Sequence, residues 1–208
     1  MKIIRMKNMK KYFAELLGTF LLTLVVSLSL SGNFPVPTPV LAALVLGLFV
    51  YTAGHISGAH INPAVTIGVW SMRKISLKDA VIYIVAQLIG ATLAIYAVGA
   101  LYQEFGFNLN LQSTWDVSVG LAEFLGTVFF TFGIAAVVSG KVPVDAQGVV
   151  IGGSLLLGLS IAASQSLAIL NPAVALALLG ASPALGVYIL APVLGSVVGM
   201  NLFRSLSK

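Results

Sequence analysis

The sequence predicts an all-α membrane protein: six transmembrane helices plus two re-entrant half-helices, arranged as an inverted 3+3 repeat. Hydrophobic residues make up 59% of the 208-residue chain and charged ones 8%, against roughly 25% charged in a soluble domain. Six apolar stretches are long enough to cross roughly 30 Å of hydrocarbon at about 20 residues each. The tripeptide Asn-Pro-Ala occurs twice, as Asn62-Pro63-Ala64 and Asn171-Pro172-Ala173, offset by 109 positions.

The spans follow in order. Met1 to Lys11 carries Lys2, Arg5, Lys7, Lys10 and Lys11, and Tyr12–Ser31 is the first apolar run, broken by one acid, Glu15. A basic segment before an apolar run also describes a signal peptide, but the run has span length and no small-residue cleavage pattern follows, so a retained span is expected, with Met6 and Met9 as alternative starts. Pro35 and Pro37 interrupt the pattern. A second span is expected from about Pro39 to Ala53 or a little beyond, followed by Gly54-His55-Ile56-Ser57-Gly58-Ala59-His60-Ile61. That stretch is too rich in glycine and polar atoms to face lipid, so it must line a cavity or be buried in protein.

Asn followed by Pro reads as a helix start, because Asn caps free backbone N–H groups and Pro is preset for the first turn. The apolar residues after each copy run only to about Trp70 and Leu179. About nine residues at 1.5 Å rise cover half of the hydrocarbon layer, so these are half-helices. The remaining spans are expected at about Ala80–Leu101, Val117–Val138 with Glu123, Gln147–Ala163 and Pro183–Phe203. Six spans and two half-helices consume nearly the whole chain, a single membrane domain over 1–208, so a functional site is expected within the membrane.

Charge placement fixes the expected topology. All 11 Lys and Arg residues fall in the N-terminus, the Arg73–Lys78 connection, the Lys141 loop or the tail with Arg204 and Lys208. Six spans put those segments on one face. The opposite connections, including the acidic Tyr102–Asp116 loop, carry none, so the positive-inside rule makes both termini cytoplasmic. The net charge of +5 is then a topology signal, and no nucleic-acid partner is expected. Cysteine is absent, which excludes disulfide and thiol chemistry.

The repeat extends beyond the tripeptides. Ala14-Glu15-Leu16-Leu17-Gly18-Thr19 recurs as Ala122-Glu123-Phe124-Leu125-Gly126-Thr127, an offset of 108 positions. Halves of about 12–101 and 117–205, with three spans each, enter from opposite faces, and the two half-helices meet near the midplane with their positive ends facing. With these motifs, Gly54-His55-Ile56-Ser57-Gly58 before the first tripeptide, and Gln87 with Gly90 in the third span, the chain resembles the aquaporins of the major intrinsic protein (MIP) family over essentially its whole length.

The resemblance implies an aquaporin-like fold, a homotetramer with one pore per subunit in the cell (plasma) membrane, and passive passage of water and small neutral solutes. Asn62 and Asn171 would each offer an N–H donor to a passing oxygen, interrupting a water chain while the positive helix ends repel cations. Glu15 and Glu123 would accept hydrogen bonds from the irregular backbone beside each half-helix as structural braces; the rival role is a proton-coupling carboxylate. His55 and His60 are expected as polar pore-lining residues, with His55 buried and hydrogen-bonded. They are too few for a metal cage, so neither metal nor cofactor is expected. Gly18, Gly90, Gly126 and Gly195 are expected at close helix contacts.

The chain departs from its relatives at the second constriction. An Arg normally follows the second Asn-Pro-Ala directly; Val174 stands here, and the usual spacings put the other three filter positions at Ala42, Leu159 and Ala168. Losing Arg and aromatic bulk widens the opening, whereas an apolar ring can close by dewetting. The glycerol-conducting branch usually has Asp after that Arg, where this chain has Ala175. The competing readings are a poorly conducting structural or junctional protein of the same fold and an ion-coupled transporter. No His-Glu-x-x-His or Gly-x-Ser-x-Gly motif supports an intramembrane enzyme.

Overall fold

The computed structural model describes residues 2–31, 34–103 and 115–208, with side chains from Met9 onward. Among the described residues six long helices cross the molecule: α1 (Lys2–Ser31), α2 (Thr38–Ser57), α4 (Leu77–Tyr102), α5 (Val117–Val138), α6 (Gln147–Ala162) and α8 (Leu185–Leu206). Two short ones enter partway, α3 (Pro63–Ser71) and α7 (Pro172–Leu179). The long helices are each apolar enough to span a membrane, yet only 33–44% of each hydrophobic window is buried. The outward residues are leucine, valine and aromatic side chains, a composition suited to lipid.

Helix starts follow local chemistry. Ser76 accepts from the Asp79 N–H at 3.1 Å to open α4, and Asp116 accepts from the Ser118 N–H at 2.7 Å to open α5. Asn62 and Asn171 cap α3 and α7, with Pro in the first turn of each. At the other end of α2, Gly58 adopts φ of 89°, a left-handed geometry that glycine takes without a Cβ penalty.

Several boundaries differ from the sequence expectation. The basic N-terminal segment is helical from Lys2 and continuous with α1. The glycine-rich stretch is half helix: α2 carries on through Gly54, His55 and Ile56 to Ser57, leaving Gly58–Ile61 as the irregular backbone. The left-handed turn comes only at Gly58, whose N–H donates to the Gly54 carbonyl, so Gly54 stays within the last turn. Helix α4 starts at Leu77, because the Ser76 cap overrides the polar Lys78-Asp79 pair, and α8 starts at Leu185. Most of the Tyr102–Asp116 connection lies outside the described residues, as do the side chains of Lys2, Arg5 and Lys7.

The internal repeat is visible in the packing. A methyl on Gly90 would strike the Leu16 carbonyl of α1, and one on Gly195 would lie 2.5 Å from the Phe124 carbonyl of α5, the equivalent position. Gly18 packs under Ile61 and Phe49; its counterpart Gly126 packs under Leu170 and Gly158. Gly90, Gly126 and Gly195 let helix backbones approach within van der Waals contact, and Gly18 makes room for side chains; such close packing supplies association energy where no hydrophobic effect acts between helices. On the face that holds the termini, Asp79 Oδ1 receives the Lys11 ammonium at 2.9 Å and the Tyr12 hydroxyl at 2.7 Å, fastening α1 to α4. Tyr51 donates to the Asp145 carbonyl at 2.7 Å and accepts from the Val149 N–H at 3.2 Å, fastening the α5–α6 turn to α2.

Candidate functional site

The half-helices meet end to end in the centre of the molecule. Each Asn carboxamide is used in two directions. Its Oδ1 caps its own helix: Asn62 accepts from Ala64 N–H at 2.8 Å, and Asn171 from Ala173 N–H at 3.0 Å. One N–H crosses to the other half: Asn62 donates to the Leu170 carbonyl at 2.9 Å, and Asn171 to the Ile61 carbonyl at 3.0 Å. A carboxamide has two N–H donors, so each Asn retains one. Both side chains are nearly fully buried.

The carbonyls that receive those bonds belong to residues in strained conformations. Ile61 and Leu170 have φ of 41° and 51°, and Ala59 and Ala168 both have φ of 52°. Non-glycine residues avoid this region at a cost of order 1–3 kcal/mol each, and a β-branched isoleucine is a marked outlier. The strain turns the backbone N–H groups toward the buried acids and the carbonyls toward the opposite half.

Glu15 and Glu123 hold that backbone. Glu15 accepts from Ser57 Oγ at 2.6 Å, His60 N–H at 2.9 Å, Ile61 N–H at 2.6 Å and Gln87 Nε2 at 2.8 Å. Glu123 accepts from Ser166 Oγ at 2.7 Å, Ile169 N–H at 3.0 Å and Leu170 N–H at 2.8 Å. Both carboxylates are completely buried. An acid near the bilayer centre costs about 2.5–3.5 kcal/mol on insertion scales, and hydrogen bonds to a charged group contribute about 1.5–3 kcal/mol each. Three or four such bonds outweigh the cost. The first half adds a polar extension that the second lacks: Gln87 Nε2 also donates to Thr66 Oγ1 at 3.0 Å, and Thr66 donates to the Asn62 carbonyl at 3.0 Å. With the Thr66 proton so placed, His60 Nδ1, 3.2 Å from Thr66 Oγ1, carries the donor hydrogen.

Two cavities flank the Asn pair. One, about 240 Å³, opens toward the face opposite the termini and is bordered by Asn62 and Asn171 together with Ala42, Leu159, Ala168 and Val174. The four residues expected from spacing at the second constriction thus border one space with both carboxamides. The other cavity, about 360 Å³, lies toward the terminal face and is bordered by His55, Tyr51 and Gly58. His60 borders both.

His55 departs from expectation. It lies in the last turn of α2, exposed and bordering the terminal-face cavity, with no hydrogen-bond partner among the described residues, and not buried and bonded. Helix continuation past Gly54 is the reason: it keeps His55 on the exposed last turn of α2 and out of the irregular backbone beside Asn62. His60 instead makes the buried contacts, packing edge-on against Tyr83 with ring centroids 5.2 Å apart. Among the described residues no three His, Cys, Asp or Glu side chains group in a way that could hold a metal ion.

Sequence reasoning missed the serines and tyrosines of the brace. Ser57 and Ser166 each stand five positions before an Asn, a repeat signal that was present in the sequence. Tyr83 donates to the Ser57 carbonyl at 2.8 Å, and Tyr188 accepts from the Leu167 N–H at 3.1 Å. Their separation of 105 positions falls outside the repeat offset, so only the fold reveals them as equivalent.

Comparison with known proteins agrees with this geometry. The family model described as "Major intrinsic protein" matches residues 2–117. Nodulin-26 of Glycine max is 33% identical over 97% of this chain and 79% of its own length. The "Glycerol uptake facilitator protein-like 6" of Lactiplantibacillus plantarum is 33% identical over 91% of this chain and 94% of its own. Among solved structures, the aquaglyceroporin from Plasmodium falciparum superposes with a TM-score of 0.76 at 24% identity, covering 96% of this chain and 97% of that one.

Proposed function

Because the chain belongs to the major intrinsic protein family, we propose that it is a passive transmembrane channel for water and small neutral solutes, and not an enzyme. The observation that carries the reading is the pair of carboxamides, Asn62 and Asn171, bordering one cavity while each keeps one N–H uncommitted. A passing oxygen accepts from both donors, which turns the molecule and breaks any hydrogen-bonded water chain. The positive ends of α3 and α7 raise the energy of a cation at the same point, so protons and metal ions are excluded.

Ala42, Leu159, Ala168 and Val174 form the selectivity filter in this reading, and His60 and His55 line the path toward the terminal face. Glu15 and Glu123 act as braces with no chemistry. Their saturation by fixed donors, Ser57 and Ser166 among them, supports that role over proton coupling, which needs a carboxylate free to change partners. The whole chain acts as one domain with repeat halves of about 12–101 and 117–205, embedded in plasma-membrane lipid with both termini cytoplasmic and assembled as a homotetramer. The described Lys and Arg side chains, which fall on the terminal face, support the orientation.

Stopped-flow swelling of proteoliposomes in water, glycerol and urea gradients tests the channel. Glycerol belongs in that set because one relative carries it in its name. Rates equal to protein-free liposomes for every solute would favour the second reading, a poorly conducting structural protein, which the apolar cavity wall supports. Uptake that depends on an ion gradient would identify a coupled transporter.

A further inference from the structure

Apart from Thr38, His60, Asn62 and Asn171, every side chain bordering the 240 Å³ cavity among the described residues is apolar. The polar ones are few and each is partly committed. Thr38 Oγ1 accepts from Ser29 at 2.9 Å and keeps its own hydrogen, and His60 Nδ1 donates to Thr66 at 3.2 Å, which leaves Nε2 as an acceptor. Each Asn oxygen caps its own helix, and each carboxamide has given one N–H to a carbonyl across the midplane. A solute between the carboxamides meets two donors and no free side-chain acceptor from either. At Ala42, Leu159, Ala168 and Val174 it meets no side-chain hydrogen-bonding atom at all.

Such a wall treats two solutes of one shape differently. A molecule with a single hydrogen-bonding end presents that end to the donors and its apolar remainder to the wall, losing nothing. A molecule that is polar on every side reaches fewer partners, because Ala42, Leu159, Ala168 and Val174 offer its remaining groups no side-chain hydrogen-bonding atom. Urea and acetamide separate these cases, since they share shape and carbonyl and differ by an amino group in place of a methyl. Resting on the channel reading, we propose that the cavity sets the substrate class by polarity at fixed size. Small neutral solutes with one acceptor end and an apolar remainder pass in preference to isosteric solutes that are polar all round. One unpartnered amino group slows passage roughly fivefold or more.

The experiment measures acetamide, urea and water permeation in proteoliposomes of the full chain, each after subtraction of the rate in protein-free vesicles of the same lipid. The protein-dependent acetamide rate exceeds that of urea by about fivefold or more. Val174→Thr, which keeps the side-chain shape and adds a hydroxyl, lowers the ratio; Leu159→Asn, placed on a different helix, does the same and stands in if the first variant fails to fold. Urea entering as fast as acetamide while water flux is high would overturn the polarity proposal and leave the channel intact. A high ratio unchanged in water-conducting forms of both variants would also overturn it. Absence of flux for all three solutes would remove the channel reading and this proposal together.

Discussion

The Asn62 carboxamide donates to the carbonyl of Leu170 at 2.9 Å, across 108 positions of sequence, and Asn171 returns the bond to Ile61 at 3.0 Å. Each half of the chain therefore holds the residue that immediately precedes the capping Asn of the other half. The two bonds form one closed unit. Asn62→Ala and Asn171→Ala are each expected to lower stability by about 1–3 kcal/mol, since each leaves a buried carbonyl unpartnered. The double variant loses less than the sum, because the first substitution already loosens the second bond. Thermal unfolding of the four proteins in one detergent checks this; strict additivity would show that the bonds act separately.

The acids behind these loops differ in load. Glu15 receives bonds from Ser57, His60, Ile61 and Gln87, and Glu123 from Ser166, Ile169 and Leu170. A Gln amide turns an NH₂ toward donors that have nowhere else to go. Both Glu15→Gln and Glu123→Gln should destabilise by roughly 3 kcal/mol or more, Glu15→Gln more severely. Equal unfolding temperatures for the two variants would argue against the difference in load.

Val174 borders the distal cavity and is nearly fully buried. Val174→Arg introduces bulk and charge there, and is expected to reduce glycerol and urea flux at least tenfold while sparing water more. Glycerol flux equal to wild type would remove Val174 from the constriction. The variant must be checked for yield, because a buried Arg needs carbonyl or water partners.

Glycine substitutions separate packing from propensity. Gly90→Ala drives a methyl into the Leu16 carbonyl, and neither backbone can yield without parting α1 from α4; a loss of about 1–3 kcal/mol or of the folded protein follows. Gly153→Ala has nothing within 4 Å and should be neutral or stabilising by up to about 1 kcal/mol. Monodispersity in detergent and unfolding temperature distinguish the two.

Asp116 offers a pH test outside the spans. Its carboxylate accepts from both the Ser118 hydroxyl and the Ser118 N–H, which holds its pKa below the ordinary value. A depressed folded pKa gives stability that is present above the unfolded pKa of about 3.9 and is lost as pH falls through the lower folded value. Asp116→Asn still caps but does not titrate. Wild type should therefore lose its advantage over the variant between about pH 5 and pH 2; a constant difference in unfolding temperature would exclude this contribution.

Much of this protein was legible in one dimension. Span length, the paired Asn-Pro caps, the 108- and 109-residue offsets and the one-sided Lys and Arg residues are local or additive signals. Transfer of side chains to hydrocarbon, capping of adjacent N–H groups and charge bias act within a few residues, so they can be read without a fold. They determined the six spans, the two half-helices and the inverted repeat. Tertiary structure alone decided that each Asn gives its second bond to the opposite half, that Ile61 and Leu170 are held at positive φ to receive it, and that His55 faces outward while His60 stands between the cavities. The physical reason is that a carbonyl's direction depends on backbone strain that only the packed acids Glu15 and Glu123 sustain, and their partners lie more than 40 residues away in sequence.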